Sequence, residues 1–226
     1  MKVALLMNDN NYCGREYAKA LAEKKIEVDV ITIGKFPEKN KTEDERCGYL
    51  WNPPLLIETM ESNHIFNFES LKSDNLVRFL KEKSYDVGIQ GGTGIITKSI
   101  IDEFKYGILN FHPGDLPQYR GCSAPEWQIW EENEIVCTCH IVDEGIDTGE
   151  IFKKKILNVP MNNYFKMRSQ IYVEISKFVC EIVESLNENF LEQCQKQDES
   201  LANYRKYIGD EKIKLLIEKM NYQKNN

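Results

Sequence analysis

The chain has no apolar run approaching the roughly 20 residues that cross a bilayer, no internal repeat and no low-complexity tract. Met1 to Met7 carries a single lysine and charge arrives by Asp9, so no signal peptide is expected. Basic residues are outnumbered, 29 Lys and Arg against 36 Asp and Glu, for a net charge of −7. Surfaces that bind nucleic acid or anionic lipid need a cationic excess to release counterions, so neither a nucleic acid nor a membrane is an expected partner. Histidine is scarce, with three residues, and the seven cysteines are odd in number and scattered. That excludes a disulfide framework as the first expectation and points to reduced thiols in a cytoplasmic protein. Cys137, Cys139 and His140 do not form a metal site on this reading. On a strand the two thiols point one way and the imidazole the other, and no second pair at zinc spacing follows.

What remains is the composition of a folded domain, 42% hydrophobic and 29% charged over 226 residues, large enough for a core without staples. Lys2 to Met7 is a continuous apolar run, as for a strand buried on both faces. A polar turn follows, then helical spacing from about Arg15 to Lys25 and a second strand from Val28 to Ile33. Strand, helix, strand at this spacing predicts a βαβ unit. Residues Gly34 to Phe68 lose periodicity, a stretch too long for an ordinary connector. Regularity returns with a helix over Leu71–Lys83, strands over Asp86–Gln90, Gly107–Phe111, Ile135–Val142 and Ile151–Val159, and a long helix over Asn162–Leu186. One more helix is expected within Tyr204–Met220, and a frayed tail over Asn221–Asn226. The expected fold class is α/β, a Rossmann-like, mostly parallel sheet with helices on both faces and a C-terminal helical extension.

Chemistry concentrates at two places. Asn110-Phe111-His112-Pro113-Gly114-Asp115-Leu116-Pro117-Gln118-Tyr119-Arg120-Gly121 lies just past the carboxyl end of a buried strand, where open parallel sheets bind ligands. Asn110 and His112 are two apart and project to one side of an extended backbone. Val142-Asp143-Glu144-Gly145-Ile146-Asp147-Thr148-Gly149-Glu150 directly follows another apolar strand.

Together the two motifs resemble the folate-dependent formyltransferases, which formylate an amine with N10-formyltetrahydrofolate. The family includes glycinamide ribonucleotide, methionyl-tRNA and amino-sugar enzymes. The resemblance spans Met1 to about Val159 at the level of strand order, and its specific match is confined to the motifs. It implies Asn110, His112 and Asp147 as catalytic residues. It implies a pterin site at Gly94, Ile95, Ile96, Ile101, Val142, Asp143, Gly145 and Ile146. It also divides the chain into a catalytic core, residues 1–160, and a helical extension, residues 161–226, packed on the core or at a dimer interface. The residue types suit the chemistry. An amide N–H of Asn110 can meet the oxyanion formed when an amine attacks the formyl carbon. His112 can take the amine's proton or stabilise the oxyanion as imidazolium. Asp147 can hold the imidazole tautomer and raise its pKa, or help pass a proton through water.

Within the family, the first βα turn lacks the Gly-Ser-Gly-Ser/Thr-Asn pattern by which the glycinamide ribonucleotide enzymes hold substrate phosphate. The methionyl-tRNA enzymes run near 300 residues with a C-terminal β-barrel, whereas residues after Val159 here read as helix. The hydrolases of formyl-folate usually carry an additional amino-terminal domain. The expected acceptor is therefore a nucleotide-linked amino sugar. Its binding residues are expected among Asn8, Tyr12, Trp51, Asn52, Pro113, Gly114 and Arg120. Tyr12 or Trp51 would stack on the base, unless Trp51 serves to anchor its long loop. Arg120 would hold a phosphate, a folate carboxylate or an acidic neighbour such as Asp115. The apolar surplus on the Asn162–Leu186 helix makes a homodimer an expectation.

Overall fold

The computed structural model describes residues 1–222. Residues 223–226, part of the expected tail, lie outside the described residues. In chain order the elements are β1 (Val3–Asn8), α1 (Tyr12–Glu23), β2 (Asp29–Ile33), α2 (Lys41–Arg46), α3 (Leu56–Thr59), β3 (Ile65–Phe68), α4 (Asp74–Lys83) and β4 (Val87–Gln90). Then follow α5 (Lys98–Ile101), β5 (Ile108–His112), β6 (Arg120–Gly121), α6 (Ala124–Trp130), β7 (Val136–Ile141), β8 (Ile151–Ile156), α7 (Tyr164–Ser185), β9 (Tyr204–Arg205) and α8 (Asp210–Tyr222).

Seven strands form one sheet in the order β3-β2-β1-β4-β5-β7-β8. The first five run parallel; β7 and β8 are antiparallel to their neighbours. Alternation sorts each strand onto two cores. Leu5, Met7, Ile89, Leu109 and Phe111 face α1 and α7, while Ala4, Leu6, Ile31 and Ile108 face α4 and the α5 region. Both faces are covered, which is why β1 reads as an unbroken apolar run.

The helices begin where their caps allow. Helix α1 starts at Tyr12, ahead of its apolar periodicity, because the Asn11 side chain accepts from the Cys13 and Gly14 N–H groups at 2.9 and 3.3 Å. Helix α7 starts after Asn163, which caps Lys166 N–H at 2.9 Å. The apolar surplus of α7 is covered inside the chain: Met167, Ile171, Ile175, Phe178, Val179 and Ile182 are all buried in the same core as α1. The feature that motivated a dimer therefore has an intramolecular cause.

The aperiodic stretch after β2 contains α2, α3 and β3, an edge strand of four residues too short to show alternation. It is held by α1. The buried Arg15 guanidinium donates to the carbonyls of Pro54 at 2.8 Å, Glu38 at 2.9 Å and Pro53. Trp51 Nε1 donates to Glu16 at 2.9 Å. The helix expected within Tyr204–Met220 begins only at Asp210, since Gly209 turns the chain with φ +91°. Before it, Tyr204 and Arg205 pair as a strand with Arg120 and Gly121. Helix α8 extends to Tyr222, into the expected tail, and Lys212 lies over the Trp127 and Trp130 rings of α6.

Among the described residues no helix is long and apolar enough to cross a membrane, and no group of His, Cys, Asp or Glu side chains is placed to hold a metal ion. All seven cysteines are free.

Candidate active site

Strand β5 delivers two of the three expected catalytic residues. Leu109 and Phe111 point into the α1–α7 core, so Asn110 and His112 emerge on the opposite face, in line with Ile108. The third, Asp147, comes from the β7–β8 connection, with φ +56°, a conformation Asp tolerates better than most residues. Gly149 lets that turn close: a Cβ there would stand 1.8 Å from the Ile141 carbonyl oxygen. Asp147 Oδ2 accepts from Gly121 N–H at 2.9 Å and lies 3.5 Å from His112 Nδ1.

His112 is buried, and its Nε2 sits 2.6 Å from the Tyr119 carbonyl oxygen. A carbonyl only accepts, so Nε2 carries the proton and the neutral ring presents its Nδ1 lone pair toward Asp147. Gly114 is required for this approach. A Cβ at 114 would lie 2.6 Å from His112 Nε2 and 2.8 Å from the Tyr119 oxygen. Thr138 ties the same loop down, accepting from Leu116 N–H at 3.2 Å and donating to the Gly114 carbonyl at 2.7 Å.

Electrostatics set the protonation states. Burial pushes the His112 pKa below its ordinary 6.5, only partly offset by the Asp147 charge and the Tyr119 carbonyl. Burial alone would raise the Asp147 carboxyl, but His140, His112 and the Gly121 N–H outweigh it and hold the group at about 2. At neutral pH the site therefore pairs a neutral imidazole with a carboxylate.

A fourth residue joins them. His140 stands directly opposite Asn110 in the β5–β7 ladder. Its Nδ1 lies 2.9 Å from the Ile141 carbonyl and so carries the proton, leaving Nε2 to accept from the Asn110 amide at 3.1 Å. Nε2 is also 3.7 Å from Asp147 Oδ1. Its separation from Cys137 and Cys139 is as the alternation predicts, since both thiols are buried in the α1–α7 core. Sequence reasoning discarded His140 together with the metal site. The available signal is its place as the one basic side chain of that strand, on the face opposite the thiols.

Two clefts are lined by these residues, one by Asn110, His140 and Asp147 and the other by His112. One, of about 230 Å³, is lined by Gly94, Ile95, Ile96, Asn110, His140, Val142, Asp143, Gly145, Ile146 and Asp147. Ile95 is 79% exposed and Ile146 46% exposed, unusual for isoleucine and suited to gripping a flat apolar ring. The other cleft, about 370 Å³, is lined by His112, Pro113, Gly121, Cys122, Ser123, Arg46, Glu126 and Arg168, among others.

The remaining expected residues fall elsewhere. Ile101 packs against the α4–α5 core and lines neither cleft. The Tyr12 and Trp51 rings are buried against each other edge-on at 5.6 Å, and Trp51 stacks on Tyr172 at 5.1 Å. Neither ring is free to stack on a base; Trp51 anchors its loop, and the Tyr12 hydroxyl donates to Asp44 at 3.0 Å. Asn8 ends β1 with its N–H on the Gly92 carbonyl at 3.0 Å, and Asn52 is exposed; neither lines the clefts. Arg120 is not free for a ligand anion, since it pairs with Glu199 at 2.6 Å and Gln197 at 2.8 Å. Asp115, the acidic neighbour expected for it, is bound by Lys154 at 2.5 Å.

The chain is similar to a methionyl-tRNA formyltransferase from Rickettsia canadensis (strain McKiel), 32% identical over 142 residues, covering 62% of this chain and 46% of that protein. One from Rickettsia prowazekii (strain Madrid E) is 33% identical over 97 residues, covering 42% of this chain and 32% of that protein. The chain thus spans 32% to 46% of the length of these curated relatives. Among solved structures, a sugar N-formyltransferase from Shewanella sp FDAARGOS_354 shares the fold with TM-score 0.62 at 16% identity, covering 97% of this chain and 88% of that one. So does an N-formyltransferase from Helicobacter canadensis in complex with folinic acid and dTDP-3-aminofucose, with TM-score 0.57 at 19% identity, covering 91% and 70%. The formyl transferase family model matches residues 1–171, three-quarters of the length and every residue of the two clefts except Tyr172 and Tyr207, and the chain belongs to that family.

Proposed function

We propose that the chain moves a formyl group from N10-formyltetrahydrofolate to the primary amine of a nucleotide-linked amino sugar. The observation that carries this reading is the contact between residues of two clefts: Asn110 and Asp147 line one, His112 the other, and Asp147 reaches His112 at 3.5 Å. Donor and acceptor can therefore meet across one set of groups.

The first cleft fits the donor. Ile95 and Ile146 offer apolar cover to a pterin ring, and the turn from Val142 to Asp147 offers backbone polar groups to its edge. When bound, N10-formyltetrahydrofolate supplies an activated formyl carbon for attack by the amine. Asn110 donates an amide N–H to the formyl oxygen as charge develops there; its other N–H is already held by His140. His112 Nδ1 accepts the proton leaving the amine, and Asp147 stabilises the imidazolium. Burial of both histidines keeps water from competing with that transfer.

The second cleft fits an acceptor rich in oxygen atoms. It places Ser123 and the backbone of Gly121 and Cys122 beside His112, while its Arg46 and Arg168 guanidinium groups are paired with Glu43 and Glu126. The names of the Shewanella and Helicobacter neighbours support a sugar acceptor, and the net charge of −7 disfavours a tRNA surface. Methionyl-tRNA is the second reading, favoured by the names of the curated relatives. The test is tetrahydrofolate release from N10-formyltetrahydrofolate with amino sugars on dTDP, UDP, GDP and CMP, with glycinamide ribonucleotide, with methionyl-tRNA, and without acceptor. Turnover with one sugar nucleotide is expected. Turnover only with methionyl-tRNA or glycinamide ribonucleotide overturns the acceptor, and acceptor-independent release would make the chain a hydrolase.

A further inference from the structure

Beyond the segment matched by the family model, the chain returns to the active site. After α7, Gln195 forms a two-way bridge with Ile151 at the start of β8, both hydrogen bonds 2.8 Å. Ten residues later Tyr204 and Arg205 pair with Arg120 and Gly121. Between these anchors the chain crosses over the two loops that carry the site. Asn203 accepts from Arg120 N–H at 3.1 Å and donates to the Pro117 carbonyl at 3.0 Å.

Gln197 stands at the crossing, and its amide is fully used. Its Oε1 accepts from Arg120 Nε and Nη2 at 3.1 and 2.8 Å. Its Nε2 donates to the carbonyls of Asp147 and Gly149 at 2.9 and 2.8 Å. A carboxamide is the side chain that can do both: a carboxylate lacks the donors and an ammonium the acceptor. The turn it grips is the one that holds Asp147 at positive φ. Arg120, locked by Glu199 at 2.6 and 3.0 Å, directly precedes Gly121, whose N–H binds the Asp147 carboxylate. One side chain thus ties together both ends of the contact between the His112 loop and the Asp147 turn.

We propose that Gln197 is a positioning residue, which holds the Asp147 carboxylate on His112 through the Asp147 and Gly149 carbonyls. The proposal rests on reading His112 and Asp147 as the acid–base pair of the proposed reaction. It also assigns a role to the C-terminal segment: a strap that completes a site whose reacting groups all come from the family-matched region.

The test uses the full chain with Gln197→Ala and Gln197→Glu. Glutamate keeps an acceptor for Arg120 but cannot donate to the two carbonyls. If Gln197 acts through the turn, both variants lower kcat by about tenfold or more, the usual cost of a displaced reacting group, while the donor KM stays within about twofold. Wild-type turnover in Gln197→Glu would show that only the Arg120 anchor matters and would overturn the proposal. A second readout is independent of any acceptor: the titration of the His112 ring followed by NMR. The groups facing that ring are Asp147 and His140 on one side and Arg46, Glu126 and Arg168 on the other. Displacing Asp147 is expected to lower the His112 midpoint in Gln197→Ala and to change nothing in an Asp147→Asn background. A midpoint that rises in both backgrounds would mean that the strap merely seals the site against water, and would overturn the proposal. Should no acceptor support turnover even in the unmodified chain, the function proposed above fails and the NMR arm still decides this one.

Discussion

Asn110 enters the active site with its amide already held: His140 Nε2 accepts it at 3.1 Å from the directly opposed position on the neighbouring strand. The pair fixes which end of the carboxamide carries the free N–H, because His140 Nδ1 is committed to the Ile141 carbonyl. An oxyanion donor works by being oriented before charge appears, and in the role proposed for Asn110 a ladder pair supplies the orientation.

Replacing His140 with Leu leaves Asn110 free to rotate or flip. The expected result is a drop in kcat of about tenfold to a hundredfold, the usual cost of losing a group that orients a reacting one. Asn110→Ala removes the donor itself and is expected to cost about 10²–10³. Steady-state turnover of both single variants and of the double variant checks this. If His140 acts through Asn110, the double variant is no worse than Asn110→Ala.

The pH dependence follows from His112. In the proposed reaction the reacting form is the neutral ring, and burial places its midpoint below 6.5. Activity in kcat/KM is therefore expected to fall on the acid side through a midpoint below 6.5 and to be flat across neutrality. A profile of kcat/KM from pH 5 to 8 checks it; an acid limb centred above 7 would contradict the assignment.

Asp147 links the same site to stability. Its folded pKa of about 2 lies below the ordinary value near 3.9 of an unfolded chain. Its contribution is thus present above the unfolded value and lost as pH falls through about 2, and the part owed to the His112 charge is lost again as that ring becomes neutral. Urea unfolding of Asp147→Asn is expected to show its largest loss of stability near about pH 5, converging on the unmodified chain as pH falls toward about 2.

The sequence reveals different parts of this molecule to different degrees. Strand β1 is legible because burial on both faces leaves an unbroken apolar run, and β2, β4, β5 and β7 because they are short, mostly apolar segments bounded by turn residues. The Asn110, His112 and Asp147 convergence is legible because two motifs each follow such a strand. Edge strand β3 is not, being only four residues long with no alternation to read. Tyr12 and Trp51 mislead because aromatic rings near a strand end look like a base platform, while their burial depends on Tyr172 of α7, far away in sequence. Arg120 misleads in the same way: its partners Gln197 and Glu199 lie nearly 80 residues on, in a polar stretch without periodicity. Contacts that close over long separations leave no local pattern, and Gln197 belongs to that class.

The most direct test of the account compares the unmodified chain with His112→Asn. Two quantities are measured on each: tetrahydrofolate formation with the acceptor that proves active, and binding of 5-formyltetrahydrofolate. Asparagine cannot take up the proton, yet the donor cleft is lined by other residues. The account predicts a loss of turnover of at least about 10² with donor binding unchanged within about twofold. Near-normal turnover in His112→Asn, with donor still bound, would contradict it.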